Sequence, residues 1–170
     1  MSFSLVPQYA FHSFTDISPG FLAELGVKFL MLDLDNTIAK YSEPIPTDSV
    51  VRWISDMKCN SIELFIVSNS RQKSRVEVFA NTLGIGFIKR ARKPSPHGLL
   101  SAMASAGFGA DGSAFAGDQI FTDTLAANRA GVISIIVRPL CLKNPFHAIR
   151  FAIEAPLRAM CARKGGYGQY

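Results

Sequence analysis

Cysteine is scarce in this 170-residue chain: Cys59, Cys141 and Cys161 are odd in number, far apart and never spaced as C-x-x-C. That argues against a disulfide framework or a zinc site and suits a reducing compartment. Long apolar runs are missing as well. The stretch Val132–Val137 is broken by Ser134, and it is far shorter than the roughly 18 residues a membrane-spanning helix needs. Met1–Ala10 has neither a basic start nor an apolar core ending in small residues. No secretory signal is read there, and a cytoplasmic location is expected, with peripheral contact at the inner face of the membrane left open. No repeat, low-complexity tract or linker breaks the chain. What remains is a globular composition, 48% apolar and 18% charged, with a length that suits a single domain built on one core.

Acid is short at one end only. The 18 Lys and Arg exceed the 13 Asp and Glu by five, yet residues 1–137 hold 12 of each sign, while residues 138–170 hold six basic and one acidic. Short β-rich apolar runs recur at Lys28–Leu34, Ile62–Ser68, Ile85–Lys89, Ser113–Gly117 and Val132–Arg138. Helix-like stretches separate them: Thr47–Asn60, Arg71–Leu83, Pro96–Ala106 and Thr122–Ala130, the last three stopped by glycine. Strands alternating with helices predict an α/β fold, a doubly wound parallel sheet covered on both faces in three layers. Residues 1–27 form a lead-in to this core at 28–140. A basic amphipathic region follows at 141–164, and a glycine-containing tail at 165–170.

In such a sheet ligands bind beyond the carboxyl ends of the strands, so those ends carry the functional reading. The first run stops in Asp33-Leu34-Asp35-Asn36-Thr37. Two-residue periodicity would set Asp33 and Asp35 on one side, where they repel unless a cation lies between them or one keeps its proton. The second run ends in Ser68-Asn69-Ser70 before a helix start that favours an anion. Lys93 follows the third, and the fourth delivers Gly117-Asp118, with Asp123 five residues on. Taken singly, each is also explained as a turn, a cap or a solvated face; together they are hard to ascribe to chance.

Their order, DLDNT, the Ser68 strand end, Lys93 and GDQIFTD, resembles the four motifs of the haloacid dehalogenase superfamily of phosphotransferases over about residues 28–140. Arg92-Lys93-Pro94, Thr122-Asp123 and Asn128-Arg129-Ala130-Gly131 look like the YqeG-type branch of subclass IIIA. That branch is associated with dephosphorylating phosphatidylglycerophosphate to phosphatidylglycerol. The resemblance implies an aspartyl-phosphate on Asp33, with Asp35 as general acid and then base. It implies Mg²⁺ held by Asp33, the Asp35 main-chain carbonyl and Asp118, with Asp123 orienting metal-bound water. Ser68, Asn69 and Lys93 would bind the phosphoryl group, Lys93 also offsetting charge on the nucleophile. Thr37 would fix the loop.

Only 32 residues separate Asp35 from Ser68 and 24 separate Lys93 from Asp118, which leaves no room for a lid domain. An open site suits a bulky substrate such as an anionic phospholipid, or one closed by a second subunit; the oligomeric state stays open. The rivals are a phosphatase for a soluble sugar, nucleotide or protein phosphate, a receiver domain, and a non-catalytic scaffold. A receiver domain places its lysine last, whereas Lys93 precedes Asp118 and Asp123. Arg71, Lys73, Arg75, Lys89, Arg90 and Arg92 flank the predicted site and would make its mouth basic. Phe146, Ile149, Ile153, Leu157 and Met160 recur at near-helical spacing among Lys143, Arg150, Arg158, Arg163 and Lys164, with Pro156 interrupting. That stripe fits either a helix on an anionic leaflet or one docked on the protein's own core. No nucleic-acid motif is present, and His12, His97 and His147 show no ligand spacing.

Overall fold

The computed structural model describes residues 4–70, 73–142 and 145–163. Arg71, Lys143, Lys164 and the 165–170 tail lie outside the described residues, as does the side chain of Lys73. Six parallel strands form one sheet: β1 (Tyr9–Phe11), β2 (Phe29–Leu32), β3 (Glu63–Val67), β4 (Gly86–Ile88), β5 (Ser113–Gly117) and β6 (Ile133–Val137), in spatial order β1-β6-β5-β2-β3-β4. Every pairing is parallel. From β2 the chain winds outward to β3 and β4, then returns to β5 and β6 on the other side. The direction reverses between β2 and β5, and the crevice at such a reversal is where a doubly wound sheet places its ligand.

Side-chain alternation sorts the helices into two layers. Leu30, Leu32, Leu64, Ile66, Ala114 and Ala116 face a core shared with α2 (Asp48–Cys59) and α3 (Lys73–Leu83) through Trp53, Ile54, Met57, Val76 and Phe79. Phe29, Met31, Phe65, Val67 and Phe115 face the opposite core, with Leu99 and Met103 of α4 (His97–Ala106) and Ala126 and Ala127 of α5 (Leu125–Ala130). Runs buried on both faces explain why the strands read as continuous apolar sequence. Thr47 caps α2 by accepting from the Val50 amide, as a Thr at that position should.

The lead-in has more order than its sequence suggests. Tyr9–Phe11 pairs with Ile135–Val137 as an edge strand. A helical turn, α1 (Pro19–Glu24), starts behind Ser18, which accepts from Phe21 N. The Trp53 indole donates to Ile17 O at 3.0 Å and ties this segment to α2. The stretch expected as a helix from Thr122 instead begins as a π-type turn, Ile120–Thr124, before α5. The last helix, α6 (Pro145–Arg163), lies beside β1 and β6, its Leu157 and Cys161 packed with Ala10, Ile120 and Ile136.

Candidate active site

β2 stops at Leu32, so Asp33 is the first residue past the central strand, where its amide still bonds Ala116 O of β5 at 2.9 Å. Asp118 follows β5 in the same way, and the π-type turn projects Asp123 back over Gly117. A Cβ at Gly117 would sit 2.5 Å from Asp123 Cγ, so only glycine admits that carboxylate. Asp33, Asp118 and Asp123 are all buried, and one oxygen of each lies within 4.8 Å of the others. Lys93 enters this cluster from the loop after β4, its Nζ 2.6 Å from Asp33 Oδ1 and 2.8 Å from Asp123 Oδ1.

Three buried carboxylates with one ammonium among them are electrostatically overloaded. Burial pushes Asp33 up from its ordinary 3.8 to about 7; Lys93 opposes that rise, and repulsion from Asp123 and Asp35 adds to it. Asp118 is raised well above the usual carboxylate range, chiefly by burial and then by Asp123 and Asp33. Burial pulls Lys93 down, but attraction to Asp123 and Asp33 more than reverses this and keeps it firmly protonated. Asp118 Oδ2 is buried without a hydrogen-bond donor, and the Arg150 guanidinium is 3.9 Å away. Hard oxygen donors, surplus negative charge and an orphaned carboxylate oxygen fit a divalent cation. Asp33 and Asp118 are the side chains best placed to hold one. Asp123 has both oxygens engaged, Oδ1 by Lys93 and Oδ2 by the Gln119 amide at 3.0 Å, which suits a positioning role.

Asp35 lines the same cleft as Asp33 and adds to the repulsion that raises it. Because the strand ends at Leu32, the chain turns after Asp33, with Asn36 at φ 64°, and the Asp35 carboxylate pairs with Arg75 of α3. Arg75 also donates to Lys40 O and Glu43 O, binding the loop after Asp35 to α3. Sequence reading had placed Arg75 only in the basic rim; no motif marks it, and the pair spans 40 positions. Of the other rim residues, Lys89 pairs with Glu77, while Arg90 and Arg92 are exposed. A cation not foreseen at the site is Arg150, which comes from α6.

Ser68 is buried, and its hydroxyl accepts from Ser70 N at 3.0 Å, leaving its own proton to donate into the cleft. Asn69 uses its amide on Lys93: Oδ1 accepts from Lys93 N at 2.8 Å and Nδ2 donates to Lys93 O at 2.9 Å. These bonds fix the backbone that carries the lysine, and Asn69 also lines the cleft where substrate contact was expected. Thr37 Oγ1 lies 3.5 Å from Asp33 Oδ2 and 3.4 Å from Asp118 Oδ1, at the junction of the two strand-end loops. Asp33, Asp35, Ser68, Lys93 and Asp123 floor an open cleft of about 310 Å³, walled by Tyr41, Asn69, Ser70, Gln119 and Thr122. Burial and the carboxylates Asp35, Asp118 and Asp33 push the Tyr41 hydroxyl up to about 12, so it stays a neutral donor at the rim.

Residues 2–140 match the family model described as mitochondrial PGP phosphatase. The chain belongs to that family. It is also 35% identical over 148 residues to the probable phosphatase YqeG of Bacillus subtilis, covering 87% of this chain and 85% of that protein. Among solved structures it resembles a putative 3-deoxy-D-manno-octulosonate 8-phosphate phosphatase from Vibrio cholerae (TM-score 0.56, 16% identity, 76% and 75% of the two chains). It also resembles the cobalt-bound YrbI phosphatase of Haemophilus influenzae (TM-score 0.53, 18% identity, 66% and 68%). Likeness at that identity speaks to the fold, the parallel three-layer sandwich of haloacid dehalogenase-type phosphatases. Fold and family agree: the protein is a phosphatase of this superfamily.

Proposed function

We propose that the enzyme hydrolyses the phosphomonoester of phosphatidylglycerophosphate, with Mg²⁺ as its metal and an aspartyl-phosphate on Asp33 as intermediate. The observation that carries the chemistry is Lys93 Nζ set between Asp33 and Asp123 at the floor of an open cleft. The lipid substrate is supported by the family match and by the absence of a covering domain among the described residues.

Lys93 keeps the Asp33 carboxylate available against a burial that favours its protonated form. One Asp33 oxygen attacks phosphorus in line, forming the Asp33–phosphorus bond as the phosphorus–alkoxide bond breaks. Asp35 donates a proton to the leaving glycerol oxygen. It then takes one from the water that attacks the aspartyl-phosphate, regenerating Asp33 and releasing phosphate. The Arg75 pair, made through Asp35 Oδ1, holds this carboxylate at the cleft wall for these transfers. Ser68 Oγ donates to a phosphoryl oxygen, and Lys93 offsets charge gathering at that group. Mg²⁺ bound by Asp33, Asp118 and the Asp35 carbonyl would supply electrophilic stabilisation of the phosphoryl oxygens.

Turnover of phosphatidylglycerophosphate in detergent micelles, measured with Mg²⁺ against a panel of soluble phosphomonoesters, tests this reading. Expected is a kcat/KM for the lipid on the order of 100-fold above any soluble ester, since remote binding energy is spent at the reacting centre. Faster turnover of a soluble sugar or nucleotide phosphate would assign the cleft to that class instead.

A further inference from the structure

Helix α6 is polarised in the direction opposite to that of an ordinary surface helix. Its charged side chains Glu154 and Arg158 are buried, and Arg150 is partly covered beside Asp118. Its exposed side chains, among the described residues, are all apolar: Pro145, Phe146, Ile149, Ala152, Ile153, Ala155, Pro156, Ala159 and Met160. Phe146 is 79% exposed, Ile149 60% and Ile153 59%. The sequence stripe therefore splits, with Leu157 turned inward beside Cys161 and the other four apolar residues turned out. A continuous apolar helix face left in water marks an interaction surface. This helix also lies beyond residues 2–140, the part matched by the family model.

The inward face is tied to the site. Glu154 Oε1 accepts from the amides of Ile120 and Phe121 at 2.9 and 3.2 Å, the start of the turn that carries Asp123. Arg158 donates to the carbonyl of Asp118, to Val137 O at 3.1 Å and to Glu154 Oε2 at 3.1 Å. Whatever holds the outer face of α6 therefore also fixes the orientation of the cleft.

We infer that the outer face of α6 rests on an anionic lipid surface, placing the cleft mouth beside the headgroups. Charge selects this occupant. Residues 138–170 carry six basic side chains and one acidic; Glu154 and Arg158 are used on each other and Arg150 lies beside Asp118, which leaves Arg138, Lys143, Arg163 and Lys164 as the basic surplus of this segment. A second copy of the chain would bring two such basic segments together, whereas an anionic leaflet satisfies the apolar stripe and the charge at once. No helix among the described residues is long and apolar enough to cross a bilayer, which leaves α6 to lie along the interface. The inference rests on the proposed lipid substrate only for what the contact delivers to the cleft.

Sedimentation with phosphatidylcholine vesicles, with and without phosphatidylserine, tests this without any phosphomonoester present, so it stands or fails apart from the substrate reading. The protein should bind the anionic vesicles, and less at high salt. Ile149→Glu/Ile153→Glu should weaken binding at least about tenfold while melting like the parent. In Phe146→Trp, emission should shift to the blue with anionic vesicles alone, while the buried Trp53 stays constant. No binding by the parent, or equal binding by the double variant, would overturn the inference. So would a dimer in light scattering that the double variant abolishes while vesicles are ignored, because the face would then belong to a second copy.

Discussion

Two groups of buried charge lie on either side of Asp118, and they are built on opposite terms. In the cleft, Asp33, Asp118 and Asp123 share Lys93, and an Asp118 oxygen is left without a donor. Under α6, Glu154 and Arg158 neutralise one another, and the carboxylate and guanidinium between them collect two amides and two carbonyls. The first group is out of balance, and burial raises Asp33 and Asp118. The second is nearly closed on itself. The difference separates a site awaiting a cation and a phosphoryl group from a strut that holds the site in place.

Breaking the strut should have the largest effect on stability. Arg158→Met leaves Glu154 buried without its partner, at a cost of about 3–5 kcal/mol, read as a lower denaturant midpoint. Glu154→Leu added to it should recover much of that loss, because a neutral apolar pair removes the stranded charge. If the double variant is no more stable than the single, the pair contributes more than mutual neutralisation.

A cation should act on the other group alone. Asp33 is protonated up to about pH 7 in the folded, metal-free protein but only up to about 3.8 when unfolded. Its contribution to metal-free stability is therefore full below 3.8 and lost as pH rises through 7. A metal that needs the carboxylate must displace that proton, so Mg²⁺ should raise Tm little at pH 5 and more at pH 8. At about 100 times its dissociation constant the gain is roughly 2.7 kcal/mol. Asp118→Asn should melt higher than the parent without metal at pH 8 and lose the response to Mg²⁺. An equal Mg²⁺ effect at both pH values would mean that the bound ion leaves Asp33 untouched.

The smallest change is one methyl group. Gly117→Ala puts a Cβ against the Asp123 carboxylate, which must move and release Lys93. We expect a loss of about 1–3 kcal/mol from overpacking together with a fall in kcat on the order of tenfold. Intact kcat would show that Asp123 does not position the lysine.

The strand ends that form the cleft were legible because Asp33, Ser68 and Asp118 each directly follow an apolar run, and a parallel sheet aligns those ends by construction. Lys93 joins them from the loop after β4. What escaped depends on long-range pairing or on very short elements. Tyr9–Phe11 is too short to show alternation, and the six-residue turn Pro19–Glu24 is too short to show helical periodicity. Arg75 with Asp35, and Arg158 with the Asp118 carbonyl, join positions 40 apart that share no pattern. The direction faced by Phe146 and Ile153 could not be read from their spacing either, because an amphipathic stripe looks the same whether the core or the exterior claims it.

The role of Asp33 can be tested directly by quenching the enzyme during turnover of a phosphomonoester with Mg²⁺ and mapping the covalent phosphate by mass spectrometry. The phosphate should sit on the peptide containing Asp33, and Asp33→Asn should lose turnover by a factor on the order of 10⁴ while remaining folded. Phosphate mapped to another residue, or sustained turnover by Asp33→Asn, would contradict the assignment of Asp33 as nucleophile.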